Sequence, residues 1–273
     1  MGQKTNSNLL RLGYKYKTNN WDSKYCIKNK NEVSLFLFQD LEIKRFVYRF
    51  FKQYNIIIHK CEVNRSQTLL KLFISYYLSK SNLQNCDINE LESIDKKNAI
   101  NLSFTENFIE SLEIFTKSKF NIVVILKNIS DTVFFKVNIN IRNYLFKLRK
   151  FLNKPFLKEF FNDLFIVLKK KKSAKFLSEL ILYKFITMKK HNLFLNFLKR
   201  SLLLLINSKL SNVEGIKIVI KGRLNGKLRS NSKIIQIGKI PLQKMDSQID
   251  FFESTAFTIY GTFGIKVWIC ETS

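Results

Sequence analysis

The sequence predicts an α+β protein, and three observations lead to this fold class. Alternating apolar runs near the C-terminus predict an antiparallel sheet, because turn residues at Asn225-Gly226 and Pro241 separate them. The span 14–214 contains no glycine and has long Leu- and Phe-rich stretches that predict helices. Hydrophobic residues make up 46% of the 273-residue chain, which is enough apolar material for one or two cores.

The first half of the chain predicts a small α/β domain. The periodicity of apolar residues, and the polar residues that interrupt it, predict five elements. They are a helix at 41–54, strands at 56–62 and 69–78, a helix at 106–117 and a strand at 121–126. This order suits a type II KH domain, which holds nucleic acid with a G-x-x-G loop. The loop should follow Leu78, where the sequence SKSNLQNCDINE contains no glycine. We therefore expect a KH-like scaffold whose nucleic-acid loop is degenerate.

The second structured region is punctuated by glycine from Gly215 onwards. Strands are predicted at 216–220, 234–240 and 257–269, and one long helix at 176–208 should cover the apolar face of their sheet. Trp268 is expected in the core because it alternates within an apolar strand, whereas Tyr260 is equally compatible with the core and with base stacking.

The charge of the chain indicates a partner made of phosphates. Lys and Arg total 47 against 21 acidic residues, a net charge of +26. The segment 141–210 alone carries 17 Lys and Arg against three acids, whereas a solvated face normally mixes both signs. Nucleic acid is therefore the predicted partner.

Other classes of site find little support in the sequence. The four cysteines and two histidines lack the spacing of a zinc site, so we expect no metal and no cofactor. The longest run without a charged residue, 254–265, is shorter than the roughly 20 residues of a membrane span. The first residues lack the apolar core of a signal peptide. No set of residues suggests a nucleophile or a base, so we expect neither an enzyme nor a small-molecule substrate.

Several sequence motifs are shared with one ribosomal protein family. They are GQKTNSNLLRLG (2–13), WDSKY (21–25), GIKIVIKGRLNGK (215–227), IGKIPLQKMDSQIDF (237–251) and AFTIYGTFGIKVWI (256–269). In order and spacing they resemble the small-subunit ribosomal protein S-three family. The resemblance implies a structural constituent of the head of the small ribosomal subunit. Small-subunit rRNA, mRNA near its entry channel and neighbouring ribosomal proteins are the implied partners.

The resemblance also suggests how the chain is divided. We expect an N-terminal rRNA-binding extension at 1–40, a KH-like domain at 41–128 with an insertion at about 79–105, a second insertion at 129–172, and the family's C-terminal domain at 173–273. The stretch 79–118 carries seven acids and four lysines, so its expected neighbour is protein rather than RNA.

Two groups of basic residues are the candidate rRNA-binding residues. One group lies in the N-terminal extension, where cations far outnumber acids, and the other surrounds the glycine-containing turns of the C-terminal domain. They are Lys4, Arg11, Lys15 and Lys17, and Lys221, Arg223, Lys227, Arg229 and Lys239.

The mRNA-entry candidates lie before the C-terminal sheet. Bacterial members of the family carry an Arg-Arg-x-x-Lys cluster there, and alignment places Leu195 and Asn196 at the paired arginines and Lys199 at the lysine. Two of the three charges are thus missing. The remaining candidates on the predicted helix are Lys199 and Arg200. Lys189 and Lys190, beside His191, could form a displaced patch that contacts mRNA. A basic face without a specific role explains these two lysines equally well.

Residue usage bears on the compartment. Lys outnumbers Arg 38 to 9, and there are 26 Phe but three Ala, which is typical of an A+T-rich gene. We expect translation inside a mitochondrion, with a plastid or an A+T-rich bacterium as alternatives. An organelle-encoded maturase or homing endonuclease is the alternative function, although no LAGLIDADG-like acidic motif is present. A plain basic RNA chaperone is a third possibility.

Overall fold

The computed structural model contains helices and two four-stranded sheets, which confirms the α+β class. By contacts, the chain forms two compact units, residues 20–134 and residues 1–19 with 135–273. The described residues are 5–11, 22–25, 30–54, 56–66, 68–77, 94–117, 120–129, 148, 155–168, 173–188, 191–207, 211 and 213–271.

Over these residues the bounds of the elements are as follows. The helices are α1 Ser7–Leu10, α2 Val33–Gln53, α3 Ile94–Thr116, α4 Pro155–Ile166, α5 Ala174–Thr187 and α6 His191–Asn207. The strands are β1 Ser23–Tyr25, β2 Ile57–Arg65, β3 Leu69–Tyr77, β4 Asn121–Asn128, β5 Val213–Gly222, β6 Asn231–Gly238, β7 Ile249–Thr258 and β8 Gly261–Glu271.

The unit 20–134 is built on a sheet of order β1-β2-β3-β4. The pair β2 and β3 is antiparallel, and each pairs in parallel with its outer neighbour. Helices α2 and α3 bury Val47, Phe51, Phe108 and Leu112 in one apolar core with the strands. The rings of Phe51 and Phe108 meet edge-on at 5.3 Å, an arrangement that aromatic pairs favour.

A buried ion pair ties α2 to β2 in this unit. The Arg65 guanidinium lies 3.6 Å from Asp40, and both side chains are 2% exposed. Arg65 also donates to the Gln39 side chain at 2.6 Å and lies over the Phe120 ring. Burial raises the pKa of Asp40, and the nearby Arg65 opposes that rise. Removing either partner would leave an uncompensated buried charge.

The other unit contains an antiparallel sheet of order β6-β5-β8-β7, which we call the C-terminal sheet. Its inner face is covered by α5, which contacts β7 and β8, and by α6, which contacts β5 and β6. Ile218, Ile265 and Val267 point inward and are fully buried. The helices and the sheet thus bury their apolar faces against each other.

The predicted long helix 176–208 is wrong as a single element, because α5 and α6 are separate helices. The extended backbone angles of Met188 end α5, and its N–H makes the last helical hydrogen bond, to the Lys184 carbonyl at 3.0 Å. The N–H of His191 donates to the Asn225 side chain at 2.9 Å, which caps the start of α6. The cap comes from a residue 34 positions away, so helix propensity alone does not reveal it.

Several predicted bounds also needed correction. Helix α2 begins at Val33 rather than Leu41, because its first two turns expose Leu35 and Phe38 and so lack the periodicity of a half-buried helix. The predicted run 257–269 is two strands, β7 and β8, joined by a turn at 259–260. Helix α3 begins at Ile94, within the predicted insertion 79–105, whose segment 78–93 lies outside the described residues.

Candidate nucleic-acid interface

Four of the predicted rRNA-binding residues lie together at one end of the C-terminal sheet. Lys221 is the second-last residue of β5, and Arg223, Lys227 and Arg229 follow in the turn to β6; all four side chains are exposed. We call these four residues the basic tip. No acidic residue occurs from residue 215 to 245, so the local charge of the basic tip is unbalanced.

The backbone of this turn is fixed by its own residues. Leu224–Gly226 forms a short 3-10 turn in which Asn225 and Gly226 both have positive φ, 55° and 73°. Asn and Gly tolerate that conformation better than other residues. Arg223 Nε donates to the Lys227 carbonyl at 2.9 Å across the turn. The cations of the basic tip therefore project from a defined backbone.

A pair of reciprocal hydrogen bonds anchors the basic tip to α6. The His191 N–H donates to Asn225 Oδ1 at 2.9 Å, and the Asn225 N–H donates to His191 Nδ1 at 3.3 Å. The His191 ring is 1% exposed and stacks on Phe185 at 5.0 Å. Burial lowers the pKa of His191, which favours the neutral ring whose Nδ1 can accept this bond.

The sequence suggested that His191 forms part of a displaced basic patch. The structure buries its ring, so His191 does not contribute to such a patch. Its ring also meets Phe263 edge-on at 5.1 Å inside the unit. Sequence reasoning missed Asn225 altogether as a capping residue. The Asn-Gly pair was visible as a turn, but its long-range hydrogen bond required the fold.

Lys239 lies apart from the basic tip. In the register of β5 and β6, Lys221 pairs with Ser232 while Gly215 pairs with Gly238, so Lys239 follows the opposite end of β6. Its N–H donates to the Glu214 carbonyl at 3.3 Å, and its side chain is exposed. The predicted C-terminal cluster is thus four residues at one end of the sheet and one at the other.

Arg11 requires a larger correction, because it is 3% exposed. Its guanidinium donates to the carbonyls of Ser7 at 3.1 Å, Leu242 at 2.8 Å and Lys244 at 2.9 Å. Nearby, the Asn8 amide exchanges two hydrogen bonds with the backbone of Phe251 at the edge of β7. Arg11 thus holds α1 against the C-terminal sheet and does not present its guanidinium to a phosphate.

Lys199 and Arg200 lie on the outer side of α6, and both are exposed. They line a cleft of about 460 Å³ together with Leu148, Asn196, Leu203 and Leu204. Leu195, which the sequence comparison above aligned with one of the paired arginines, is 3% exposed and faces the core. The predicted cations of α6 therefore share one concave surface.

Comparison with known proteins decides the family. The profile of the ribosomal protein S3 C-terminal domain matches residues 197–269, which span most of α6 and the C-terminal sheet up to Ile269. The small ribosomal subunit protein uS3c of Euglena longa is 31% identical over 274 residues, covering 98% of this chain and 99% of that protein. The chain belongs to the uS3 family of small ribosomal subunit proteins.

Other relatives agree with this assignment. The small ribosomal subunit protein uS3 of Phytoplasma mali is 27% identical over 98% of this chain and 84% of that protein. The uS3c protein of Tupiella akineta is 50% identical over 60 residues, 22% of this chain. Membership of the uS3 family does not favour the maturase-like alternative.

Part of the predicted uS3 interface lies outside the described residues. This applies to Lys4, Lys15 and Lys17 of the extension, to Lys189 and Lys190 between α5 and α6, and to the degenerate loop after Leu78. Within the described residues, no cluster of three His, Cys, Asp or Glu side chains could hold a metal ion. No described helix is long and apolar enough to cross a membrane.

Proposed function

We propose that this uS3-family chain binds small-subunit rRNA through the basic tip. The observation that supports the proposal is the concentration of four exposed cations on a turn that His191 and Asn225 hold in place. Lys and Arg on phosphates release counterions, and a fixed backbone limits the entropy lost when they bind. The same turn lies within the segment that matches the ribosomal S3 family.

A matched pair of variants tests this proposal. The tip variant replaces the four residues of the basic tip with Gln, and the control variant replaces four exposed cations of the other unit, Arg49, Lys52, Lys71 and Lys127, with Gln. Both lose the same charge. If the tip contacts phosphates, its variant should lower the slope of log affinity against log salt by about 3–4 for an rRNA fragment. Equal slopes for both variants would refute the proposal.

We propose a second contact, with mRNA, on the cleft face of α6. Lys199 and Arg200 line this cleft beside Asn196. Lys199 aligns with the lysine of the bacterial entry cluster, and Arg200 adds a positive charge next to it. The Lys199→Ala, Arg200→Ala double variant should assemble into subunits and slow mRNA entry. Unchanged initiation and elongation rates on a structured mRNA would remove this role.

The proposed compartment is an organelle. The A+T-type residue usage supports translation inside one, and the mitochondrion was the compartment expected from composition. The full-length likeness to a chloroplast-type uS3c supports a plastid at least as strongly. Immunodetection in purified plastid and mitochondrial fractions separates the two, and detection only on cytosolic ribosomes would contradict both.

The proposed role is structural, so we expect no catalysis by the isolated chain. Incubation with rRNA and mRNA fragments in the presence of Mg²⁺ should leave both intact. Cleavage or ligation that persists in the purified tip variant would favour the maturase-like alternative instead.

A further inference from the structure

Gly264 lies within β8, where no described backbone angle or neighbouring atom requires a glycine. Its φ is not positive, and a Cβ placed on it would meet no atom of the described residues within 4 Å. The other five described glycines, Gly215, Gly222, Gly226, Gly238 and Gly261, have a positive φ or a neighbour that a Cβ would strike. Glycine within a strand costs stability and often marks a place where another molecule approaches the backbone closely.

Gly264 lies on the outer face of the C-terminal sheet, the face turned away from α5 and α6. The strand register places three rows of side chains across this face. They are Gln236–Lys217–Trp268–Phe251, Ile234–Val219–Lys266–Glu253 and Ser232–Lys221–Gly264–Thr255. Because Gly264 has no side chain, the third row has a depression between Lys221 and Thr255.

The first row carries an aromatic pair with a cation beside it. Trp268 and Phe251 have ring centroids 4.9 Å apart, tilted by 36°. The Lys217 ammonium lies 5.6 Å from the centroid of the Trp268 ring. Both rings are half-buried, and Phe257, beyond the third row, is 72% exposed. This corrects the prediction that Trp268 is a core residue.

The charge of the outer face selects the partner. Lys217, Lys221 and Lys266 lie on it, whereas the single acid of the three rows, Glu253, is paired with Lys266 at 3.1 Å. An excess of cations next to aromatic rings is the combination that binds unpaired nucleotides, because bases stack on the rings while phosphates meet the cations. A duplex offers no free base to stack.

We propose that the outer face of the C-terminal sheet binds an unpaired RNA strand that crosses it at Gly264. A base stacks on Trp268, the adjoining phosphates approach Lys217 and Lys221, and the backbone of the strand fills the depression at Gly264. This inference rests on the proposed rRNA-binding function and adds a second contact surface, which shares only Lys221 with the basic tip.

The test uses the full-length chain and two RNA ligands of similar length, an unstructured oligouridylate and a blunt duplex. Gly264→Val adds a β-branched side chain that suits a strand, and its Cβ would meet no described atom within 4 Å, so the variant should fold and block the depression. The control is Asn121→Val, which also introduces Val into a strand, at an exposed position of β4. In a Trp21→Phe background, tryptophan emission reports on Trp268 alone.

We expect oligouridylate to quench Trp268, and Gly264→Val to weaken its binding about ten-fold or more, with duplex binding and the control unchanged. Trp268→Phe should lose less affinity than Trp268→Thr, because it keeps a ring. Wild-type affinity of Gly264→Val for oligouridylate, or absence of quenching, would overturn the inference. Loss of subunit incorporation with unchanged RNA affinity would also overturn it, by indicating a protein partner. Failure of wild type to bind either RNA would instead count against the proposed function.

Discussion

Two arginines of the same unit, Arg11 and Arg229, have opposite surroundings. Arg11 is buried and donates to three backbone carbonyls, whereas Arg229 is exposed in the basic tip. In the sequence both arginines lie in basic segments, so both were predicted to bind rRNA on the basis of charge alone. A guanidinium has five N–H donors and can satisfy carbonyls as readily as phosphates, and only the packing distinguishes the two uses.

The first prediction concerns this pair. Arg11→Met should lower the free energy of unfolding by about 2–4 kcal/mol, because it leaves three carbonyls, one buried and two partly buried, without this donor. Arg229→Met should leave stability nearly unchanged and weaken RNA binding. Urea unfolding and RNA affinity measured on both variants check this, and a stable Arg11→Met chain with impaired RNA binding would reverse our assignment.

The second prediction is a pH dependence carried by His191. Its pKa is lowered by burial, so the unfolded chain binds the proton more readily than the folded chain below about pH 6.5. Its contribution to stability is therefore complete above pH 6.5 and is lost as the pH falls through the folded pKa. His191→Phe keeps the ring contacts but cannot bind a proton. The free energy of unfolding of this variant should therefore fall less than that of the wild type between pH 7.5 and 5.5. If the free energy of unfolding of the wild type and of His191→Phe falls equally between pH 7.5 and 5.5, His191 does not carry this pH dependence.

At the scale of elements, the sequence predicted strands where apolar residues alternate and failed where tertiary contacts decide. The strands β5 and β6 came close to their predicted bounds because Ile216, Ile218 and Ile235, Ile237 face one core. The break between α5 and α6 depends on Asn225, and the start of α2 depends on exposed apolar residues. Trp268 was assigned to the core, although it is one residue out of phase with Val267 and Ile269.

The third prediction compares a buried residue of the C-terminal sheet with exposed residues of α6. Val267→Asp would place a carboxylate among fully buried side chains of the inner face, at a cost of several kcal/mol or a raised pKa. We expect this variant to be lost from assembled subunits. The Lys199→Ala, Arg200→Ala variant removes exposed charge and no buried side chain, so it should be incorporated normally. Quantifying each tagged variant in purified small subunits checks this, and the opposite ranking would contradict it.

At the scale of the whole molecule, family membership was readable from the motifs at both ends of the chain, and full-length similarity to uS3c confirmed it. The KH-like assignment of the unit 20–134 stays a prediction, as do the proposed domain limits. The candidate site could be only partly predicted. Sequence identified the cations of the basic tip, but the burial of Arg11, the separation of Lys239 and the open face around Gly264 depend on long-range strand pairing.

The central claim is that the chain is held in the small subunit through the basic tip. The most direct measurement is sedimentation of ribosomal particles from cells that express the wild type, the tip variant and the control variant, at low and at raised salt. We predict that the wild type and the control remain with the small subunit at both salt concentrations, while the tip variant is released as salt rises, because screening weakens its fewer remaining phosphate contacts. Wild type at the top of the gradient, or equal release of the tip and control variants, would contradict the account.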